Sequence, residues 1–381
     1  MIKHFVIMKR IIFFAVFLPF FLAGCEGTAP ENVGETPADP GTGNISELTG
    51  TITLYTDNDI IKADGAYTAK LTVLLMDKAG VEHDVTSEVD IYLEGSDSPV
   101  ESREFRTSDP GLYSFYAVRG FDISNTISVE AASGVKDFPS DTRPDDTSFR
   151  HRMLLLQHTG NECPNCPRVM EILRVLSNDE DYNTLYHHVA SHSYNTSDAA
   201  YSSAAASLSK VLNTTGYYPW LTYNLTTTEG YYLEDIKESI DKLHMDVADA
   251  GISAAVSHSG DKVYANVSIK AGKDARYRVA AWLLEDSIHS VQSGATASWQ
   301  NMHENCLRSM AGTTRTESIY GKSIGELEAG ETHDLIVSMD LESGWKVENC
   351  KVIIIAVGGD GDDLVNCTVC PVGSKVEYEY N

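Results

Sequence analysis

A continuous apolar run, Met153-Leu154-Leu155-Leu156, leads through Thr159-Gly160-Asn161-Glu162 into Cys163-Pro164-Asn165-Cys166-Pro167, and Val169, Ile172, Leu173 and Leu176 follow at helical spacing. An unbroken apolar run suits a strand buried on both faces. The stripe after it suits an amphipathic helix. Strand, tight loop and helix in that order fix where two thiols must sit. Two intervening residues let the cysteines bridge, and the helix N-terminus supplies unpaired N–H groups and partial positive charge. That charge can pull a thiol below its free pKa of about 8.5. Cys163 is therefore expected as the exposed attacking thiol and Cys166, inside the first helical turn, as the resolving one. Pro167 suits that turn because its missing N–H costs nothing there. Arg168 favours a thiolate and Glu162 opposes it, and His158 is the histidine best placed to tune Cys163.

This arrangement resembles the thioredoxin fold. The resemblance implies a cis-proline set against the cysteine pair, where backbone neighbours bind an extended substrate. In Thr215-Gly216-Tyr217-Tyr218-Pro219-Trp220-Leu221-Thr222-Tyr223 a turn, a proline and an alternating strand follow in order, so Pro219 is the candidate. Leu233, Ile236, Ile240, Leu243 and Val247 make a second helical stripe, suited to a closing helix. A central α/β thioredoxin-like domain over 152–250 is expected.

The N-terminus sets the compartment. Lys3, Lys9 and Arg10 precede an apolar run from Ile11 to Leu22. A bilayer span takes about 20 residues, so the run reads as the core of a signal peptide over 1–24. It ends in Leu22-Ala23-Gly24-Cys25, which looks like the lipobox of bacterial lipoproteins; that resemblance implies a diacylglycerol on Cys25 and membrane attachment through it. Glu26 at the next position is not the aspartate that retains many such lipoproteins at the inner membrane, so the outer membrane is favoured, on either face. Residues 25–46, with Pro30, Pro37, Pro40 and few large apolar side chains, form a flexible tether. The formal charge of -26 repels nucleic-acid phosphates and excludes a basic membrane patch.

Thr51-Ile52-Thr53-Leu54-Tyr55, Val89-Asp90-Ile91-Tyr92-Leu93 and Leu112-Tyr113-Ser114-Phe115-Tyr116-Ala117 alternate between Asp, Gly, Asn and Ser turns. The pattern predicts a β-sandwich over 47–134, and the Phe105…Asp109-Pro110-Gly111-Leu112-Tyr113-Ser114-Phe115 stretch resembles bacterial immunoglobulin-like domains. A linker over 135–151 follows. Strands return over 251–381 in Val263, Ala265, Val267 and Ile269, in Leu335, Val337 and Met339, in Val352 to Val357, and in Lys375 to Tyr380. This β-rich C-terminal part is either a separate domain or an extension of the thioredoxin-like core.

Besides Cys25, the chain carries Cys163, Cys166, Cys306, Cys350, Cys367 and Cys370. An even set in an exported protein suggests disulfides. Val352 to Val357 and Leu364 to Val369 should form a hairpin around Gly359–Asp362, which sets Cys350 opposite Cys370 and leaves Cys306 for Cys367. A competing framework makes Cys367–Cys370 a second redox pair, in a turn instead of a strand. A zinc site built from Cys163/Cys166 and Cys367/Cys370 is disfavoured by their long separation and an oxidising compartment. His158, His187, His188 and His192 show no His-x-x-x-His spacing with a carboxylate, so neither a metal nor another cofactor is expected. No Gly-x-Ser-x-Gly elbow is expected in the chain, so a hydrolase has no support. Gly358-Gly359-Asp360-Gly361-Asp362-Asp363 reads as an acidic hairpin turn, since it lacks the closing glutamate of a calcium loop.

The Thr159…Cys163-x-x-Cys166-Pro167 string, the lipobox and the β-rich tail together resemble the twenty-eight-kilodalton outer membrane protein family. Ala281-Trp282-Leu283-Leu284-Glu285-Asp286…His303-Glu304-Asn305-Cys306-Leu307-Arg308 looks like that family's C-terminal signature. The resemblance runs from about Arg152 to the C-terminus; the immunoglobulin-like domain and four tail cysteines depart from it. It implies location and fold more than reaction. The expected function is thiol–disulfide exchange on exported proteins through Cys163 and Cys166. The alternative is a non-catalytic envelope scaffold whose cysteine pair is a structural disulfide.

Overall fold

Alternating burial along Gly50–Thr56, Ala69–Asp77 and Gly111–Arg119 turns one row of side chains from each strand into a shared interior. In the computed structural model, which describes residues 48–214, 216, 218–226, 230–359 and 363–381, these strands belong to two sheets. The signal peptide, Cys25 and the tether lie outside the described residues. One sheet pairs Gly50–Thr56 with Ala69–Asp77 antiparallel; the other pairs Gly111–Arg119 with Asp90–Leu93 and Ile127–Ala132. Leu54, Leu71, Val73, Ile91, Phe115 and Val129 fill the space between them. The described residues thus open with a β-sandwich.

The segment after the sandwich is anchored to the rest of the chain at several points. Phe138 stacks on Tyr67, and Phe149 is fully buried between Tyr378 and Tyr380. Gly251 lets it in: a Cβ there would collide with the Phe149 ring. The Lys270 ammonium, buried in its strand, donates to Asp141 Oδ2 at 2.9 Å, the Arg143 carbonyl at 3.1 Å and the Pro144 carbonyl at 2.6 Å. A buried cation is tolerable only with such partners.

The sheet that carries the cysteine loop has eight strands. Met153–Thr159 is its parallel neighbour of Tyr186–His192 and its antiparallel neighbour of Trp220–Tyr223. Beyond Tyr186–His192 the sheet continues through Cys306–Met310, Ala275–Glu285, Cys350–Gly358 and Asp363–Pro371, with Lys322–Leu327 also pairing Ala275–Glu285. All seven residues of Met153–Thr159 are buried, as its apolar run predicts. Met153 and Leu155 pack against the helices Cys166–Leu176 and Leu233–Leu243 through Val169, Leu173, Leu176, Ile236 and Ile240. Leu154 and Leu156 point the other way, toward Ala205 and Leu208 of the helix Ser203–Val211. Helices on both faces of a partly parallel sheet, with the second strand beside the first and the third antiparallel to it, give a thioredoxin-like core.

The C-terminal strands make two layers. Ala250–Ser259, Lys262–Ala271 and Thr332–Asp340 form a sheet that packs on one face of Ala275–Glu285, Cys350–Gly358 and Asp363–Pro371. The short helix Arg315–Tyr320 covers the other face, where the Trp282 indole N–H donates to the Ser318 carbonyl at 2.7 Å. The alternation read over Lys375 to Tyr380 yields strand only at Lys375–Val376, and Phe149 then bridges Tyr380. Residues 360–362 of the acidic turn lie outside the described residues.

Candidate functional site

The buried strand Met153–Thr159 runs out at Gly160, and a tight loop turns the chain into the helix that begins at Cys166. Cys163 N–H donates to the Gly160 carbonyl at 3.1 Å, and Cys166 N–H to the Cys163 carbonyl at 3.2 Å. These bonds hold the two Cα atoms 5.4 Å apart, and Cys163 and Cys166 are joined as a disulfide. Asn165 is the N-cap and Pro167 sits in the first turn, where it removes no intrahelical bond. Trp220 pairs with His158, so Pro219 lies at the same end of the sheet as the cysteine loop. The Tyr218–Pro219 bond is cis.

Three local expectations are corrected. Cys163 is not exposed: only 2% of it meets solvent. His158 does not face the pair. Alternation turns it to the opposite side of the sheet, where its ring nitrogens lie 3.1 Å from the Ser209, Thr214 and Thr222 hydroxyls. Burial pushes its pKa down to about 4, so the ring is neutral at neutral pH. Arg168 spends its guanidinium on the Tyr232 ring, 4.4 Å away, in place of a thiolate.

Cys163 is covered by a distant segment that nothing in the local motif announces. Between the strands Ala275–Glu285 and Cys306–Met310 the chain makes an excursion, pinned at its base by the pairing of Ile288–His289 with Met302–His303. Its Gln292 amide nitrogen lies 2.9 Å from the Cys163 carbonyl, 3.1 Å from that of Asn161 and 3.3 Å from that of Gly160. Ser293 N–H adds a bond to the Asn161 carbonyl at 2.7 Å, and Gln300 reaches the Pro167 carbonyl at 3.0 Å. Gly294, at φ +72°, lies against the Pro164 carbonyl, with which a Cβ would collide. Only glycine fits so close an approach at that φ.

Behind this cap lies a buried polar chain. Asn161 N–H donates to Asp198 Oδ2 at 2.8 Å, and His192 Nδ1 meets the same oxygen at 2.8 Å. The His192 ring sits edge-on to His303, whose Nε2 donates to the Ser290 carbonyl of the cap at 3.1 Å. Burial alone would raise the Asp198 carboxyl, but the hydrogen bond and charge of His192 outweigh it and hold it well below the usual carboxylate range. His192 is thus committed to Asp198, and no cluster among the described residues is arranged to hold a metal.

The tail cysteines form no bridges: Cys306, Cys350, Cys367 and Cys370 are free and buried. The expected pairs fail for different reasons. The turn sits one register position later than centring at Asp360 implies, pairing Gly358 with Asp363, and an irregularity between Ala356 and Val357 adds a second, so that Val352, not Cys350, stands opposite Cys370. Cys306 and Cys367 lie three strand positions apart, about 14 Å at ordinary strand spacing, too far for a bond. Nor do Cys367 and Cys370 make a second pair, because they share a strand and face different cores. Burial pushes the Cys350 thiol up to about 12 and the Cys370 thiol up to about 11, so both stay protonated and unreactive.

The Gly-x-Ser-x-Gly string, expected to be absent, does occur. Gly321-Lys322-Ser323-Ile324-Gly325 has Gly-x-Ser-x-Gly spacing. It follows a helix and runs along the strand Lys322–Leu327, with Ser323 exposed and paired with Arg278. A nucleophile elbow turns from strand into helix, so this pentapeptide does not build one.

No family model matches the chain, and no curated protein matches it. Among solved structures it is similar to HBP35 of Porphyromonas gingivalis, at 15% identity and a TM-score of 0.48 over 59% of this chain and 76% of that one. It is similar to a domain of the outer membrane lipoprotein Omp28 from the same organism, at 16% identity and a TM-score of 0.23 over 33% and 88%. A third likeness is to domains 4–9 of the surface layer protein SbsC, at 12% identity and a TM-score of 0.18 over 86% and 51%. These are likenesses of fold at low identity. The thioredoxin-like core is described from this chain's own strand order and cysteine loop.

Proposed function

We propose that this chain is a cell-envelope lipoprotein, held at the outer membrane by lipid on Cys25, whose thioredoxin-like core exchanges disulfides with exported proteins. The immunoglobulin-like sandwich over 47–134 serves as spacer or contact surface, with the redox core over 152–250 and the β-rich part over 251–381. The observation that carries the reading is the Cys163–Cys166 disulfide at the head of a helix that leaves a buried central strand. In the reduced form, the Cys163 thiolate attacks a partner disulfide, and one partner sulfur leaves as thiolate and takes a proton. Cys166, losing its proton, then attacks Cys163 Sγ and expels the second partner sulfur. The partner gains two thiols and the protein is left with the disulfide seen here.

A second reading is a scaffold with a structural disulfide. It is favoured by the burial of Cys163 beneath Gln292 and Gly294. One experiment separates the two. With Cys166→Ser, the exchange reading expects mixed disulfides to accumulate on Cys163 in cells, resolved on reducing gels and lost in Cys163→Ser. A scaffold gives no trapped partner and a pair that resists mild reduction. Retention of membrane attachment and processing in Cys25→Ser would sink the lipoprotein part of the proposal.

A further inference from the structure

A cavity of about 500 Å³ opens beside the capped disulfide, and neither Cys163 nor Cys166 lines it. Its walls come from Met153–Thr159, Tyr186–His192, the helix Cys166–Leu176 and the returning arm of the cap. We propose that this cavity binds an uncharged aromatic small molecule, held by a carbonyl oxygen against Gln157 and Tyr186.

The polar groups define the ligand. Gln157 is 98% buried and lines the cavity; its Oε1 accepts from His188 Nε2 at 3.2 Å, while its amide nitrogen has no partner among the described residues. A buried N–H without an acceptor is costly, so the site calls for an oxygen there. Tyr186, a second lining residue, also carries a donor, and burial pushes its pKa up to about 12, which keeps the hydroxyl protonated. Of the lining histidines, His192 is committed through Nδ1 to Asp198, and His188 and His303 offer no positive charge. His188 Nδ1 lies 3.3 Å from the Asn305 amide nitrogen and its Nε2 serves Gln157, so the ring is neutral, in keeping with a pKa pushed down by burial to about 4. His303 is pushed down to about 4 for the same reason. The cation at the mouth, Arg174, is held by both Glu171 oxygens, at 2.7 and 3.0 Å. An anionic ligand would therefore meet no free cation among these groups, and a carbonyl suits the donors better.

The apolar groups define the rest. Met170 and Met302 bring thioether sulfurs, which favour aromatic rings, and Trp299 and Leu173 complete the surface. The volume takes a two-ring ligand with room to spare.

The probe is 6-propionyl-2-(dimethylamino)naphthalene, a neutral aromatic ketone whose emission shifts blue in an apolar site. With the full chain, saturable binding of one probe per chain is expected. Gln157→Met and Tyr186→Phe should each weaken it about five-fold, the loss of one hydrogen bond. Leu173→Trp should fill the cavity and abolish binding. Cys163→Ser/Cys166→Ser should bind as the parent does, so failure of the redox proposal leaves this one standing. Absence of saturable binding, or equal affinity in Leu173→Trp, overturns it. If Leu173→Trp does not fold, unchanged affinity in both Gln157→Met and Tyr186→Phe overturns it equally.

Discussion

His158 shows how much one residue's surroundings can change its meaning. Beside a cysteine loop in the sequence it reads as a tuning base; in the fold it is a neutral polar plug among three hydroxyls. Its pKa of about 4 in the folded state lies below the ordinary 6.5. Between those values the unfolded chain binds a proton that the folded chain refuses, so this contribution to stability is complete above pH 6.5 and is lost as pH falls toward 4. From pH 7 to pH 5 the loss is about 2 kcal/mol for this one group. Urea denaturation at the two pH values should show it, and His158→Gln should shrink the pH difference by about that amount. An unchanged difference would contradict the assignment. The cysteine pair itself was legible because its signal is local: strand, loop and helix lie within a few turns of chain. The tail pairing was not, because it depends on the exact turn and one register irregularity of the hairpin, and on a strand order that sets Cys306 far from Cys367.

Elements with a strong apolar period were also legible, among them Cys166–Leu176, Leu233–Leu243 and the strands about Val263 and Val352. Ser203–Val211 was not, since Ala and Ser dominate it and its buried side is marked by Ala205, Leu208 and Ser209, with a single large apolar residue among them. Its start depends on the Ser202 hydroxyl, which accepts from Ala205 N–H at 3.0 Å. The cap was the least legible element. It is polar, it contains little regular structure, and its contacts reach back some 130 residues to the cysteine loop. Cap and loop are held by hydrogen bonds of modest net strength, so the closure should yield to single substitutions. Gln292→Ala should speed reduction of the Cys163–Cys166 bond by dithiothreitol about ten-fold, and Gly294→Val, by its clash with Pro164, should do at least as much. Stopped-flow measurement of thiol release tests this. Rates equal to the parent's would mean that the cap does not limit access.

At the scale of the whole molecule, the segment expected as a linker is instead a packed seam. Phe149 is buried where the first residues of the thioredoxin-like core, the strand at Ala250 and the C-terminal tyrosines meet. Phe149→Ala should cost about 3–5 kcal/mol, seen as a lower denaturation midpoint, and should open residues 135–151 to limited proteolysis while the disulfide stays intact. A midpoint within error of the parent's would show the seam to be dispensable. Sequence pattern recovered the sandwich, the α/β core and the late strands, but it could not show that the late strands extend the core's own sheet, because strand order is decided by contacts far apart in sequence. That sheet order has one more consequence. Glu285 and Cys306, where the cap leaves and returns, are direct neighbours across paired strands. An excursion whose two ends already touch can lengthen, shorten or change its residues at little cost to the framework beneath it. Evolution could therefore retune how open the disulfide stands, from sealed to freely reachable, by editing roughly twenty residues of one excursion and leaving the thioredoxin-like scaffold untouched.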